Sequence, residues 1–193
     1  MIMSIRKLLS CFTLCVVAAT TFPASSAQAA NAREVTTAID AASIEHAFSP
    51  DDGAEALVLK VINTSASSIR LAAYSFNSPT IVAALLDAKK RGVDIKVLVD
   101  AKRNQRSNSV TALNALMQAG IPVRTISVYA MHHDKYIVAD ESTVQNGSFN
   151  YSKDAATSNS ENVIVLWNQA SLAASFLRHW ENRWAKGVAY STR

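Results

Sequence analysis

Cysteine is nearly missing from this sequence. Its two copies, Cys11 and Cys15, both fall within the first 29 of 193 residues, in a segment that reads as a removable leader. Beyond that segment no disulfide can form, so the folded chain has to be held by packing alone. A membrane-spanning run is lacking as well. Arg6 and Lys7 make a short basic start, and Leu8 to Ala19 is apolar apart from Ser10 and Thr13. That run is about half of the roughly 20 residues needed to cross a bilayer. It gives way to a small, polar stretch closing on Ala27-Gln28-Ala29, the small-x-small pattern read by signal peptidase. Cleavage is therefore expected between Ala29 and Ala30. Residues 1–29 would be a signal peptide, and the mature protein would be exported, periplasmic or secreted, with no stable membrane anchor.

Strong charge is also absent. The whole chain carries +4, and loss of Arg6 and Lys7 with the leader leaves +2. Such a balance permits polyanions or membrane surfaces as partners without requiring either. There is no internal repeat, no low-complexity tract and no linker. Residues 30–193 read as one domain, long enough to bury a core.

What the chain does have is alternation of segments. Ala54 to Asn63 carries Leu57, Val58, Val61 and Ile62 at the spacing of one buried helical face. Ile69 to Phe76 reads as a strand. Ser78 and Pro79 supply an N-cap and a proline at the first helical position, opening a helix that turns Ile81, Val82, Leu85 and Leu86 inward and stops at Gly92. Val93 to Val99 is a buried strand, followed by a polar loop, Ala101 to Ser109, and a helix bearing Val110, Leu113, Leu116 and Met117 that ends at Gly120. Strands are expected at Met131–Asp140, Thr143–Phe149 and Asn162–Trp167, and a last helix at Ser171–Trp184. This order predicts an α/β fold, a mixed β-sheet flanked by helices on both faces, with antiparallel pairing among the closely spaced later strands.

The chemistry concentrates in Met131-His132-His133-Asp134-Lys135 and the residues after it. On a strand, alternate side chains share a face, so His133 and Lys135 project together. A neutral imidazole is a nucleophile, and an ammonium two residues on binds the oxygens of an anion facing it. The lysine would repel a metal cation, and no third ligand is in register, so neither metal nor cofactor is expected. Asp140 lies seven residues from His133 and points to the opposite face; it is expected to fix its turn by accepting backbone hydrogen bonds. In Gly147-Ser148-Phe149-Asn150, Ser148 and Asn150 offer a hydroxyl and an amide to phosphate oxygens, and Gly147 lets the backbone come close to a ligand. Glu161 precedes the strand at Val163–Trp167, where a carboxylate can orient a histidine ring from behind.

His133-x-Lys135-x4-Asp140, then Gly147-Ser148-x-Asn150, then Ser160-Glu161-Asn162, resembles the HxK(x)4D signature of the phospholipase D superfamily, in particular its small single-motif, Nuc-like bacterial endonucleases. The resemblance extends to Phe48-Ser49-Pro50, Ala73-Tyr74-Ser75-Phe76, Lys89-Lys90-Arg91-Gly92-Val93-Asp94 and Phe176-x3-Trp180-x3-Trp184. It implies that His133 attacks phosphorus to give a covalent phosphohistidine that water hydrolyses. It also implies that Lys135, Ser148 and Asn150 hold phosphate oxygens and that Glu161 hydrogen-bonds the ring. Most members carry two motifs per chain and this sequence carries one. A homodimer with a shared active site is thus implied, one His133 acting as nucleophile and the other as general acid to the leaving oxygen.

A lone histidine on a strand is ordinarily just a polar residue; what sets His133 apart is its company. His132 and Asp134 fall off the reactive face and read as structural. His46 and His179 have no visible partner and read as non-catalytic. Lys102, Arg103 and Arg106, in the loop after a strand, read equally as nucleic-acid phosphate contacts or as a solvated loop; Lys153 is a weaker candidate for the same work. Trp180 and Trp184 read as core or dimer packing rather than a base-stacking platform, and Tyr74 and Phe76 as packing. The expectation is a metal-independent phosphodiesterase acting on DNA or RNA as a non-specific endonuclease. Phospholipid headgroup diesters are the alternative substrate, since the same site suits either diester. A nucleic-acid-binding protein with a retired site is a third reading, disfavoured by the full set of catalytic side chains.

Overall fold

The computed structural model describes residues 42–192; the leader and its expected cleavage site lie outside them. In chain order the elements are β1 (Ser43–Ser49), α1 (Ala54–Thr64), β2 (Ser68–Ala73), α2 (Pro79–Lys90), β3 (Asp94–Asp100), α3 (Ser107–Gln118), β4 (Val123–Ile126), β5 (Lys135–Ala139), β6 (Thr143–Gly147), α4 (Lys153–Thr157), β7 (Glu161–Trp167), α5 (Ala170–Lys186) and β8 (Val188–Ala189). The strands make one sheet in the order β1-β7-β6-β5-β2-β3-β4-β8. The strands joined through α2 and α3 run parallel, β2 with β3 and β3 with β4, because a crossover of that length returns the chain to the same end. β5 pairs antiparallel with β2 and, through a short turn, with β6, and β7 runs antiparallel to β6.

Each face of the sheet is covered differently. On one, α1, α2 and α3 lay Val58, Ile62, Ile81, Leu85 and Leu113 against Ile69, Leu71, Ile95 and Val97, all fully buried. Burying each such side chain contributes about 1.5–3 kcal/mol, which is how a core without disulfides holds. On the other face α5 lies alone over β2, β4, β5 and β6, setting Ala173 and Trp180 against Ala72, Leu98, Tyr136 and Val138. Among the described residues β1 and β7 are left uncovered on that side, so Ile44, Phe48 and Ile164 are 61%, 48% and 37% exposed.

The sequence pattern places the mixed sheet and its long helices where they occur, with two kinds of difference. Strands β1, β4 and β8 and the short helix α4 carry too little apolar pattern to stand out. And the strand expected from Met131 starts only at Lys135, because the amide of His132 bonds a side chain, the Asp100 carboxylate at 2.8 Å, instead of a neighbouring strand.

Asp140 closes the end of the sheet remote from His133. It and Glu141 turn the chain from β5 to β6 with φ of 51° and 55°, a left-handed conformation that a short polar side chain tolerates. Its carboxylate does not fix that turn, as expected, but the one before β2. Oδ2 accepts from the Ala66 amide, and Oδ1 from the Ser67 and Ser68 amides and the Ser67 hydroxyl, each at 2.8 Å. Burial alone would raise the carboxyl pKa; the hydrogen bonds from Ser68, Ala66 and Ser67 together outweigh it and hold it below the ordinary value. Asp140→Ala is expected to cost about 1–3 kcal/mol in urea unfolding at neutral pH. Because the folded pKa is depressed, that contribution is present above the usual aspartate range and fades as pH falls through the folded value. Unfolding curves of the two proteins should therefore converge in acid.

Candidate active site

At the opposite end of the sheet β2 and β3 finish, β5 begins, β6 finishes and β7 begins, so five loops meet. Lys135 is the first residue of β5 and is 7% exposed. Its Nζ lies 3.2 Å from His133 Nδ1 and donates to the His133 carbonyl at 2.9 Å. Desolvation draws the ammonium below the ordinary lysine value, while the Glu161 and Asp134 carboxylates oppose the shift. His133 sits in the irregular stretch before β5, its side chain exposed. The pair is close because Lys135 reaches back along the chain, not because both residues lie on one strand.

Tyr74, assigned above to packing, belongs here. Its ring stands 4.5 Å from that of His133, with Lys135 Nζ 5.4 Å and the Arg103 guanidinium 5.8 Å from its centroid. Phe76 is fully buried in the core.

Gly147 ends β6 at φ 152°, and a Cβ there would stand 2.2 Å from the Asn162 carbonyl oxygen. The close approach that demands glycine is thus to β7 rather than to a ligand. It lets the Ser148 amide bond the same carbonyl at 3.1 Å. Ser148 Oγ donates to Glu161 Oε2 at 2.6 Å and accepts from the Asn162 amide at 3.0 Å. Asn159 Nδ2 donates to Glu161 Oε1 at 3.0 Å. Glu161 therefore spends its carboxylate on Ser148 and Asn159, and the expected bond to the His133 ring is replaced at Nδ1 by Lys135. Asn150 keeps a buried Oδ1 with no hydrogen-bond partner among the described residues.

A buried carboxylate missed in the sequence holds these parts in place. Asp100, 4% exposed at the end of β3, accepts from the Arg103 amide at 2.7 Å through Oδ1 and from the His132 amide at 2.8 Å through Oδ2. Asn104, 3% exposed, accepts from the Phe76 amide and donates to the Tyr74 and Asp100 carbonyls, each at 2.8 Å. Together they lock the Lys102–Arg106 loop to the segment bearing His133. Lys102 and Arg106 are exposed, and with Arg103 they line a cleft of about 280 Å³ beside Tyr74 and Met131. Lys153 is exposed at the start of α4, away from this cleft's lining.

Asp134 and His179 are corrected too. His179 Nε2 lies 2.9 Å from Asp134 Oδ2, and both line a cavity that His133 and Lys135 also border. That contact joins residues 45 apart on separate elements, which no local pattern reveals. His132 is buried, its Nδ1 3.6 Å from Asp134 Oδ2. His46 is exposed on β1 against Phe48. Trp180 and Trp184 stack at 4.8 Å and pack α5 onto the sheet, Trp180 Nε1 donating to the Leu71 carbonyl. No group of three or more histidine, cysteine, aspartate and glutamate side chains among the described residues is placed to hold a metal ion.

An imidazole open to solvent against a buried ammonium, at the end of a mixed sheet, is the arrangement of phosphodiesterases in the phospholipase D superfamily. The chain belongs to that superfamily: the family described as cardiolipin synthase, PLD-like domain, matches residues 58–184. A protein named phospholipase D from Rickettsia bellii is 37% identical over 72% of this chain and 68% of its own length. A mitochondrial cardiolipin hydrolase of Chlamydomonas reinhardtii is 28% identical over 65% of this chain and 55% of its own. The crystal structure of Nuc, a phospholipase D family member from Salmonella typhimurium, is 47% identical and superposes with a TM-score of 0.77 over 78% of this chain and 99% of that one.

Asp100→Asn keeps the shape but turns an amide N–H₂ against one of two backbone donors. It is expected to cost about 1–3 kcal/mol in thermal or urea unfolding. In hydrogen exchange the amides of Arg103 and His132 should lose protection ahead of the core strands.

Proposed function

We propose that this protein is an endonuclease of low sequence preference, cutting nucleic-acid phosphodiesters through a covalent phosphohistidine on His133. The observation that carries this reading is the exposed imidazole with Lys135 Nζ 3.2 Å away, beside a cleft that holds three further cations. One phosphate needs one ammonium; Lys102, Arg103 and Arg106 suit a substrate with more phosphates to either side. The 47% identity to Nuc supports the same choice.

In the resting chain Lys135 donates to Nδ1, which leaves the imidazole proton on Nε2. A nucleophile needs the reverse, a lone pair on Nε2. An incoming phosphate draws Lys135 Nζ and Ser148 Oγ to its oxygens, with Asn150 beside them. That frees Nδ1 to carry the proton and Glu161 to accept from it. Nε2 then forms a bond to phosphorus while the ester P–O bond breaks, the leaving oxygen taking a proton from a second imidazole. Water next attacks phosphorus, the P–N bond breaks, and the second imidazole recovers the proton. One imidazole cannot be both nucleophile and acid, so the second comes from another copy of the chain. The proposal therefore includes a homodimer sharing this site, with Ile44, Phe48 and Ile164 on the bare half of the sheet available to be covered. Export by way of the 1–29 leader belongs to the same reading.

A second reading has its own observation. Val128 and Met131, 60% and 56% exposed, stand just before His133, where apolar side chains suit a lipid surface. The relatives named phospholipase D add to it. Phospholipid headgroup hydrolysis is the alternative.

With plasmid DNA and excess chelator the purified protein should cut, and His133→Ala should lower turnover by more than roughly 10⁴-fold, whereas His132→Ala should keep its phosphohistidine under acid-free trapping. Cleavage of phosphatidylcholine vesicles with DNA left intact would overturn the endonuclease in favour of the lipase. By sedimentation the active species should have twice the chain's mass; full activity in a monomer would remove the shared site.

A further inference from the structure

Two cavities near the His133–Lys135 pair differ in charge, and of these the pair itself lines only the second. The cleft at Tyr74 carries Lys102, Arg103 and Arg106. The other, about 410 Å³, lies between the end of β6 and α5 and is lined by Tyr136, Asn146, Ser175, Phe176 and the Asp134–His179 pair. Its size is that of a small-molecule site, roughly 300–1,000 Å³. Lys135 is the one lysine or arginine at its edge.

The lining suits an uncharged, flat, hydrogen-bonding group. Phe176 meets Tyr136 edge to face at 5.0 Å. Tyr136 is 4% exposed, and its hydroxyl has no hydrogen-bond partner among the described residues. Leaving a buried hydroxyl unpaired is costly unless something else pairs it. Burial raises the phenol far above its ordinary pKa, with Asp134 adding to the rise, so it stays protonated and offers a donor. The Asn146 amide and the Ser175 hydroxyl each donate or accept. Asp134 is already engaged by His179 at 2.9 Å.

We propose that this cavity is a nucleobase subsite. With the scissile phosphate at His133 and Lys135, the base of one flanking nucleotide enters between α5 and β6, and the next phosphate on the other side meets Lys102, Arg103 and Arg106. The inference rests on the endonuclease reading and adds the group that the site grips besides phosphate. Every base offers a π face and ring acceptors to Phe176 and to the Tyr136 hydroxyl. Asn146 and Ser175 adapt to whichever edge arrives, so the subsite holds a base without reading which one. A choline headgroup would meet the Phe176 ring and the Asp134 carboxylate but would leave the Tyr136 hydroxyl and the Asn146 amide unbonded.

Ser175 is exposed on α5, so Ser175→Trp fills the cavity without entering the core. The measurement is kcat/KM on a short single-stranded oligonucleotide and on an abasic strand of the same length, which keeps every phosphate and lacks the bases. The wild-type ratio of the two should exceed one and fall by about tenfold in Ser175→Trp, with Asn146→Ala moving it the same way. A ratio that both variants leave alone, or an equal loss on both strands, overturns the subsite while the endonuclease stands. Loss confined to phosphatidylcholine vesicles would make the cavity a headgroup pocket and overturn it too. Wild-type protein that cuts neither strand sinks the endonuclease reading, and the subsite with it.

Discussion

A buried ammonium beside a histidine is the constraint on which the site depends. Lys135 is 7% exposed and gives hydrogen bonds only to its neighbour, at Nδ1 and at the carbonyl. Burial pulls it toward the neutral amine, and Glu161 and Asp134 act against that. The charge is therefore carried at a cost that an incoming phosphate dianion or diester anion would relieve, since the anion supplies the compensation the protein leaves incomplete. The exposed imidazole beside it is held in one orientation by the same contact, with the tilted Tyr74 ring close on its flank. Binding and nucleophile are thus set by a single side chain reaching back two residues.

Two aspartates fix the segment that carries this pair from its two ends. Asp140 gathers Ala66, Ser67 and Ser68 beyond the end of β5. Asp100 gathers His132 and Arg103 before its start. Each carboxylate accepts from backbone amides of a different loop, so neither loop can move without losing a charge-assisted bond. Asp100 also makes the cationic loop and the catalytic segment one body, and distance between the reacting phosphate and its neighbours is then a property of the fold rather than of side-chain chance. Positioning of this kind is worth most where reacting atoms must meet in line.

How much of this the sequence reveals depends on the range over which each feature acts. Buried helices and strands are legible because periodicity is local: Leu57, Val58, Val61 and Ile62 name α1, and Ser78 with Pro79 opens α2 where the structure has it. His133, Lys135, Ser148, Asn150 and Glu161 gather at one end of the sheet, as the resemblance to a known signature suggests, although His133, Ser148 and Asn150 lie off the strands. The links among them are less legible. Asp100 looks like the last residue of an apolar strand, and only the fold reveals that its carboxylate meets an amide 32 positions on. His179 meets Asp134 across 45 positions. Tyr74 reads as packing because nothing nearby in the chain shows that His133 comes to lie against it. The Ser148–Glu161 bond is hidden similarly, since the sequence points Ser148 at a phosphate and Glu161 at the His133 ring, and the resting structure pairs them with each other.

That pairing bears on the chemistry. A site whose donors and acceptors are already bonded at rest does not present an unpaired nucleophile to water. Lys135 occupies Nδ1, Ser148 occupies Glu161, and only a ligand able to take both donors at once sets imidazole and carboxylate free for each other. A phosphodiester can do so, because its two non-bridging oxygens accept from two donors in one plane of approach. On the proposed mechanism the resting hydrogen bonds act as a filter: the nucleophile is assembled in response to the group to be cut, and a second imidazole is still needed to give the leaving oxygen its proton and to take one back from water.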